Sequence, residues 1–229
     1  MARVDVISIG ALDRNRLWNE TAPVRTAHAT TSLIRAGSGK AEKVIIVDPG
    51  LPSPVVVARL AERAGLAPDA VTTVFLTNFT LPHRSGLDAF DRAEILMWEP
   101  ELEHARRFAQ ELLDREGEDP ELRDAFEAAL RLLDRIQPAA DKLAPGVDLF
   151  PLPGHTPGTA GLLVTSTTLC TLIAGDGVPT LDHFLAGQVL PDATDIARAQ
   201  ESLVEVYEIA DLVIPGHDNL FMNPRNQGV

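Results

Sequence analysis

The chain has 229 residues, of which 45% are hydrophobic and 23% are charged, a composition typical of a globular protein with a substantial core. Its formal net charge of −13 disfavours nucleic acid and anionic membranes as partners, because both repel an acidic surface. No apolar run approaches the roughly 20 residues that cross a bilayer, no signal-peptide core is present, and a single cysteine excludes an internal disulfide. We therefore expect a cytoplasmic protein that folds as one domain over residues 1–229.

Short apolar runs that end at turn residues predict the strands of the first half. They are Val4–Ile9, Thr30–Arg35, Val44–Val47, Val71–Leu76 and Ala93–Met97. Residues 11–28 lack periodicity and are predicted to form a surface loop. A helix is predicted between the third and fourth strands, with Ser53 as its N-cap, Pro54 at its first position and Gly65 at its end.

The second half begins with helical spacing over residues 99–136, interrupted at Gly117, which predicts a helical insertion of about residues 99–140. A further helix is predicted over Thr194–Ala210, and the segment with His183 is predicted to be a loop. The remaining strands are Val147–Leu152, Leu162–Thr165, Leu169–Ala174 and Leu212–Ile214. Strands and helices mix through both halves, which favours two packed sheets with helices outside.

Four potential metal ligands each follow a strand-like run: His83, His155, Asp176 and His217. Polar loops at strand ends are where α/β proteins place their chemistry. Several imidazoles with one carboxylate suit Zn²⁺, Fe²⁺ or Mn²⁺. The alternative interpretation treats each histidine separately, as a hydrogen-bonded loop residue.

Five short motifs occur in an order that matches a known superfamily. They are Asp48-Pro-Gly50, the loop Leu76–Leu87, Leu152-Pro-Gly-His-Thr-Pro-Gly158, Gly175-Asp176 and Pro215-Gly-His217-Asp218. On these residues the chain resembles the metallo-β-lactamase-fold superfamily. The resemblance implies an α+β protein, a four-layer αββα sandwich with a metal site at one edge of its two sheets, and a hydrolase-like activity.

The chain departs from that family in the loop that usually reads His-x-His-x-Asp-His. Asn78, Thr80 and Pro82 stand where the family has its two histidines and its aspartate, and only His83 is retained. Neutral oxygen donors bind Zn²⁺ weakly beside imidazole, and proline offers no side-chain donor. The resemblance therefore implies a degenerate site that lacks the ligands for two metal ions.

Two interpretations of that site remain open. In the first, His83, Asp176 and His217 hold one Zn²⁺, Fe²⁺ or Mn²⁺ ion, His155 acts as a fourth ligand or proton shuttle, and the protein hydrolyses an ester, thioester or lactone. In the second, which the replacements favour slightly, no metal binds and the protein is a non-catalytic relative, a pseudoenzyme. A mononuclear iron oxygenase is a third option, disfavoured because such relatives use the more damaged set of ligands.

Other residues are predicted around the same pocket. We expect Asn78, Thr80, Asp48 and His183 to line it, with Asp48 orienting a histidine or a loop rather than binding metal. Two interpretations of His28 stay open: it lines the pocket or supports a ligand from behind, or it is a surface histidine. A small-molecule substrate or ligand and a homodimer are compatible with this picture.

Overall fold

The structure is a computed structural model and describes residues 2–227. Within these residues the chain forms two six-stranded sheets and six α-helices. Among the same residues, no helix is both long enough and apolar enough to cross a membrane.

The first sheet follows the order of the chain from β1 to β6. Its strands are β1 (Arg3–Ser8), β2 (Thr31–Ala36), β3 (Lys43–Val47), β4 (Thr73–Leu76), β5 (Glu94–Met97) and β6 (Ile136–Pro138). The first three strands are antiparallel, and β3 to β6 are parallel. Parallel strands need crossover connections, which α1 (Ser53–Ala64) provides between β3 and β4, and the pair α3 (Glu99–Glu116) and α4 (Pro120–Leu133) between β5 and β6.

The second sheet has the order β12-β11-β10-β9-β8-β7. Its strands are β7 (Lys142–Ala144), β8 (Val147–Pro151), β9 (Ala160–Thr165), β10 (Cys170–Gly175), β11 (Leu212–Pro215) and β12 (Phe221–Met222). Only β10 and β11 pair in parallel, joined by α5 (Leu181–Ala186) and α6 (Ile196–Ile209). The strands β8, β10 and β11 therefore run in one direction and end at the same edge.

Alternation along the strands divides the core into three clusters. In β4, Phe75 joins the cluster between the two sheets, whereas Val74 and Leu76 join the cluster beneath α1 and α3. A third cluster packs the outer face of the second sheet against Leu203 and Val206 of α6. Both faces of β4 are buried, as expected for a parallel strand with an apolar sequence. The four layers confirm the predicted αββα sandwich.

Most predicted elements are confirmed, with corrections at the short ones. The helix predicted to run to residue 136 ends at Leu133, and β6 begins at Ile136 after a short turn. Strands β6, β7 and β12 have only two or three residues each, too few for a period-2 pattern to identify them. The predicted loop with His183 is in fact α5, which Thr180 caps by accepting a hydrogen bond from the His183 amide. Helix α1 begins at Ser53 itself, after Pro52, so Ser53 is not its N-cap.

Candidate metal centre

The four candidate ligands lie together at the carboxyl ends of strands. His83 lies on α2 (Leu81–Arg84), a single helical turn after β4, and Asp176 directly follows β10. His155 comes after β8, and His217 comes two residues after β11. The ends of parallel strands bring residues distant in sequence to one edge of the sandwich.

Asp176 is the centre of this group. Its Oδ2 lies 3.0 Å from His83 Nε2 and 3.3 Å from His155 Nε2, and its Oδ1 lies 3.0 Å from His217 Nε2. His83, Asp176 and His217 are all buried, and each offers one ligand atom within 4.8 Å of the other two. His155 is mostly buried, with 11% of its side chain exposed.

Hydrogen bonds behind the rings fix how the imidazoles face Asp176. His217 Nδ1 donates to the backbone carbonyl of His28 over 3.0 Å. His83 Nδ1 donates to Thr77 Oγ1 over 3.1 Å, because that hydroxyl donates its own proton to Asp48. With Nδ1 protonated, Nε2 is the atom through which each ring faces Asp176.

Asp48 supports His83 from behind. Its Oδ2 lies 2.9 Å from His83 Nδ1, and its two oxygens accept from the amide and hydroxyl of Thr77 over 2.9 and 2.7 Å. The residue has φ +49°, a conformation that aspartate tolerates better than most residues. Asp48 is thus placed to orient a histidine and not to contact an ion, as expected for support of a metal ligand.

The charges of the cluster are strongly coupled. Burial favours the neutral imidazole of His83, but the carboxylates of Asp176 and Asp48 outweigh burial and raise the pKa of His83 to about 10. Burial opposes the charge of Asp176 as well, yet His83, His155 and His217 hold the pKa of Asp176 well below its ordinary value. In metal-free protein at neutral pH, Asp176 is therefore ionised and His83 is a positively charged imidazolium.

The cluster has the features that one divalent cation requires. Asp176 Oδ1 is buried and receives no hydrogen bond from a described residue, because His217 Nε2 approaches it outside hydrogen-bond geometry. An unprotonated imidazole nitrogen and a carboxylate oxygen this close repel each other, because both are electron-rich, unless a proton or a metal ion lies between them. Two imidazole nitrogens and one carboxylate form a common ligand set for a single Zn²⁺, Fe²⁺ or Mn²⁺ ion.

A second ion does not fit the residues present. Asn78 turns its amide nitrogen to Asp176 Oδ2 at 2.8 Å, while its Oδ1 accepts from the amide and hydroxyl of Thr80. That network points the only possible ligand atom of Asn78 away from the centre, since an amide nitrogen does not bind metal. Pro82 contributes only its backbone carbonyl, which accepts from the Ala29 amide.

An open cavity of about 280 Å³ lies in front of the cluster. His155, Asp176, His183 and His217 line it, together with Thr80 and Pro82. Of the four residues expected to line the pocket, Thr80 and His183 reach the cavity. Asn78 and Asp48 are buried behind it and do not line it.

His183 is held against the cavity wall by Thr180. Its Nδ1 lies 2.8 Å from Thr180 Oγ1, which also accepts from the His183 amide, so the hydroxyl proton is free to go to Nδ1. Burial lowers the pKa of His183, and nearby His217 lowers it further against the opposite effect of Asp182. A neutral ring with Nδ1 engaged carries its proton on Nε2, which makes His183 a hydrogen-bond donor.

Two other histidines are less directly connected to the cluster. The ring of His28 binds the carbonyls of Thr26 and Ile9, and only its backbone carbonyl supports His217. His104 stacks on Phe108 and lines a second cavity of about 350 Å³ between α3 and α4. Thr80 lines both cavities.

Glu101 on α3 connects the insertion to the site and was not identified from the sequence. The carboxylate is 1% exposed; it accepts from the Phe79 amide over 3.0 Å and from Thr156 Oγ1 over 2.5 Å. It therefore joins the loop before His83 to the loop of His155. The sequence does contain a signal for this role: Glu101 lies at helical spacing from the buried Ala105 and Ala109, so an acidic residue falls on the buried face of α3.

Two six-stranded sheets between helices, with a histidine–aspartate cluster at the strand ends, define the metallo-hydrolase class of αββα sandwiches. The family profile described as metallo-beta-lactamase superfamily matches residues 26–217. The chain belongs to the metallo-beta-lactamase superfamily.

One relative and several solved structures are similar to this chain. Metallo-beta-lactamase domain-containing protein 1 of Xenopus laevis is 27% identical over 157 residues, which cover 68% of this chain and 58% of the relative. The chain thus spans less than two thirds of the length of that relative.

Among solved structures, a Thermotoga maritima protein assigned to the metallo-beta-lactamases superposes with a TM-score of 0.67 at 19% identity, covering 96% of this chain and 99% of the other. The dizinc quorum-quenching lactonase AidC superposes with a TM-score of 0.63 at 16% identity, covering 85% and 75%. A variant of Bacillus thuringiensis AiiA, with N-decanoyl-L-homoserine at its active site, gives 0.63 at 20% identity, covering 95% and 92%. At these identities the likeness concerns the fold alone.

Proposed function

We infer that this protein is a mononuclear metal-dependent hydrolase that cleaves an ester, thioester or lactone. One observation carries the proposal: His83, Asp176 and His217 converge with their ligand atoms within 4.8 Å of one another, and Asp176 and His217 line an open cavity. Both histidines are oriented from behind, by Thr77 with Asp48 and by the His28 carbonyl. Hydrogen bonds of this kind typically orient metal ligands, and a pocket without a metal ion does not need them.

The ion would be held by His83, Asp176 and His217. His155 would either be a fourth ligand or stay unbound to the ion. A bound divalent ion supplies Lewis acidity, which polarises a carbonyl and lowers the pKa of water. Asn78 and Thr80 take no part as ligands, since their polar atoms already bind each other and Asp176.

The chain's own residues supply the proton transfers and the binding of the substrate. His155 lines the cavity with its Nε2 beside Asp176, so it can pass a proton to the leaving oxygen or sulfur. His183, neutral and held by Thr180, can donate a hydrogen bond to the carbonyl oxygen as negative charge develops there. That the scissile bond is an oxygen ester, a thioester or a lactone is itself part of this proposal. The lactonases among the solved structures support testing lactones first.

A second candidate is a non-catalytic binding protein, which the hydrogen bond from Asn78 to Asp176 favours. That bond at 2.8 Å partly satisfies the carboxylate without any ion, and His83 carries a proton in the metal-free state. In this case the cavity binds a small molecule without cleaving it.

A hydrolysis panel separates the two candidates. Protein loaded with Zn²⁺, Mn²⁺ or Fe²⁺ is assayed on aryl esters, thioesters and N-acyl homoserine lactones, beside His217→Ala and the matched control His104→Ala. We expect activity that His217→Ala reduces at least 100-fold and that His104→Ala retains. Activity that survives His217→Ala, or its absence with every metal and substrate, would leave the binding protein as the better account.

A further inference from the structure

Two arginines stand without partners at the cavity that holds the histidine–aspartate cluster. Arg14 and Arg16 line the same cavity as His155, Asp176 and His217. Neither guanidinium forms a hydrogen bond or an ion pair with any residue that the structure describes. We propose that Arg14 and Arg16 form a subsite for an anionic group of the ligand, a carboxylate or a phosphate. As a statement about the hydrolysed substrate, this rests on the function proposed above.

The segment that carries the two arginines is built and held in place. Asn15 is 2% exposed, and its side chain accepts a hydrogen bond from the Leu17 amide, which caps the 3₁₀ helix Arg16–Trp18 that begins with the second arginine. The Asn15 amide in turn donates to Glu20, which also pairs with Arg25. These contacts fix the backbone around the arginines, so only their side chains become ordered when a ligand binds.

The same segment is tied to α5, which carries His183 of the cavity lining. Trp18 Nε1 donates to Asp182 Oδ2 over 2.6 Å, and Asp182 is the neighbour of His183 on α5. The amide of Val24 donates to the Asp13 carbonyl over 2.9 Å, which closes the loop at its base. A ligand in the cavity therefore lies between the histidine cluster and a fixed segment with two cationic side chains.

The charges around the arginines favour an anion as their missing partner. Two carboxylates, Asp13 and Asp192, also line the cavity, yet neither forms an ion pair with Arg14 or Arg16. In a chain with a formal net charge of −13, two guanidiniums left unpaired beside the candidate centre are a local exception to the acidic surface. A guanidinium presents a planar fork of donors that binds carboxylate or phosphate through two hydrogen bonds.

The position of the arginines limits which part of a ligand they contact. Both also line an adjoining recess with Asn19, Glu20 and Thr21, so they lie on the ridge between that recess and the cavity. The anionic group is therefore carried at a distance from the scissile carbonyl and is not the reacting group itself. A substrate such as a monoester of a dicarboxylic acid has this arrangement.

Binding is tested first, because it does not depend on turnover. Glutarate, inorganic phosphate and neutral glutaramide are titrated calorimetrically into the wild type and into the double variant Arg14→Gln/Arg16→Gln. The matched control is Arg63→Gln/Arg135→Gln, which removes the same charge from two exposed, unpaired arginines elsewhere. We expect the cavity variant to weaken binding of glutarate or phosphate at least tenfold and the control variant less than twofold. Whichever anion is affected identifies the group, and glutaramide should respond in neither variant.

Turnover then tests the link to the reaction. Monophenyl glutarate is compared with its neutral methyl ester, and the ratio of their kcat/KM values is measured in all three proteins. We expect the wild type to prefer the charged ester and the cavity variant to lose that preference at least tenfold. If no protein hydrolyses either ester but the anion-binding difference holds, the subsite stands as a binding site, and the panel of esters, thioesters and lactones described above decides whether the proposed hydrolase fails. If hydrolysis occurs and neither anion binding nor the preference responds to the cavity variant, or if the wild type binds neither anion, the subsite is wrong.

Discussion

At the scale of single residues, the candidate centre depends on the groups that hydrogen-bond to the Nδ1 side of each imidazole ring. Asp48 holds His83 through both Thr77 and a direct contact of 2.9 Å. The buried carboxylate fixes the tautomer that leaves Nε2 of the histidine for Asp176 or for an ion. A residue that never touches the metal can therefore control how tightly the metal binds.

We predict that Asp48→Asn weakens metal binding by about 10- to 100-fold, the range usual for the loss of a supporting carboxylate. Asparagine keeps the shape of Asp48 but removes the negative charge beside His83 Nδ1. Competition with a chromophoric chelator measures the affinity. Asp69→Asn, at an exposed ion pair with Arg92, is the control and should not change it. Equal affinities for Asp48→Asn and the wild type would show that the carboxylate does not support the metal ligand.

The raised pKa of His83 predicts how the metal-free protein responds to pH. Because the pKa rises from 6.5 to about 10 on folding, the native state holds one more proton than the unfolded state between those values. The stabilising contribution of His83 is fully present below about pH 6.5 and is lost as the pH rises through 10. Linkage gives a loss on the order of 1 kcal/mol per pH unit in that window.

Urea unfolding of chelator-treated protein between pH 7 and pH 9 measures this slope. His83→Gln should remove it, whatever the absolute stability of the variant. A wild-type free energy of unfolding that stays flat, or that rises over this range, would contradict a protonated His83 between Asp48 and Asp176.

At the scale of elements, the loop of His155 is held between α3 and α6. A Cβ added at Gly158 would lie 2.0 Å from the Glu101 amide, and one added at Gly154 would lie 2.2 Å from the Ala199 amide. Only glycine allows this close approach on both sides. The helical insertion therefore contributes to the site, because Glu101 joins the two loops that carry His83 and His155.

We predict that Glu101→Ala lowers the free energy of unfolding by about 2 kcal/mol, because it leaves the Phe79 amide and Thr156 hydroxyl without their charged acceptor. Hydrogen exchange should accelerate at residues 153–158. The control is Glu103→Ala, two positions along the same helix and exposed. If the two variants have the same stability and exchange, Glu101 does not hold the loops together.

The elements that sequence reasoning found and missed differ in length and in pattern. The parallel strands β3 and β4 are continuous apolar runs bounded by turns, and they could be predicted. Strand β6 buries only Ile136 and depends on pairing with β5, a long-range contact that no local window contains. The segment 11–28 has no periodicity, yet residues such as Leu12 and Arg14 form a wall of the cavity. Hydrogen bonds of Asn15 and Trp18 hold the segment in place. Its role rests on tertiary hydrogen bonds, so the sequence predicted only a loop there.

At the scale of the whole molecule, the fold itself brings the site together. Strands β4, β8, β10 and β11 each deliver a polar residue at their carboxyl ends, to one edge of the two-sheet sandwich. For that reason the ordered motifs around His83, His155 and Asp176 predicted both the family and the convergence of their side chains. What the motifs could not predict is the network of Asn78, which depends on the orientation of one amide group.

The central claim is that this site holds one metal ion. The most direct test is the metal content of purified protein by ICP-MS, with and without added Zn²⁺, Mn²⁺ or Fe²⁺, for the wild type and Asp176→Ala. We predict about one ion per chain in the wild type and none retained by the variant, because His83 and His217 share no other anionic partner among the residues that the structure describes. No retained ion under any loading would contradict a metal site, and two ions per chain would contradict the assignment of Asn78, Thr80 and Pro82 as non-ligands.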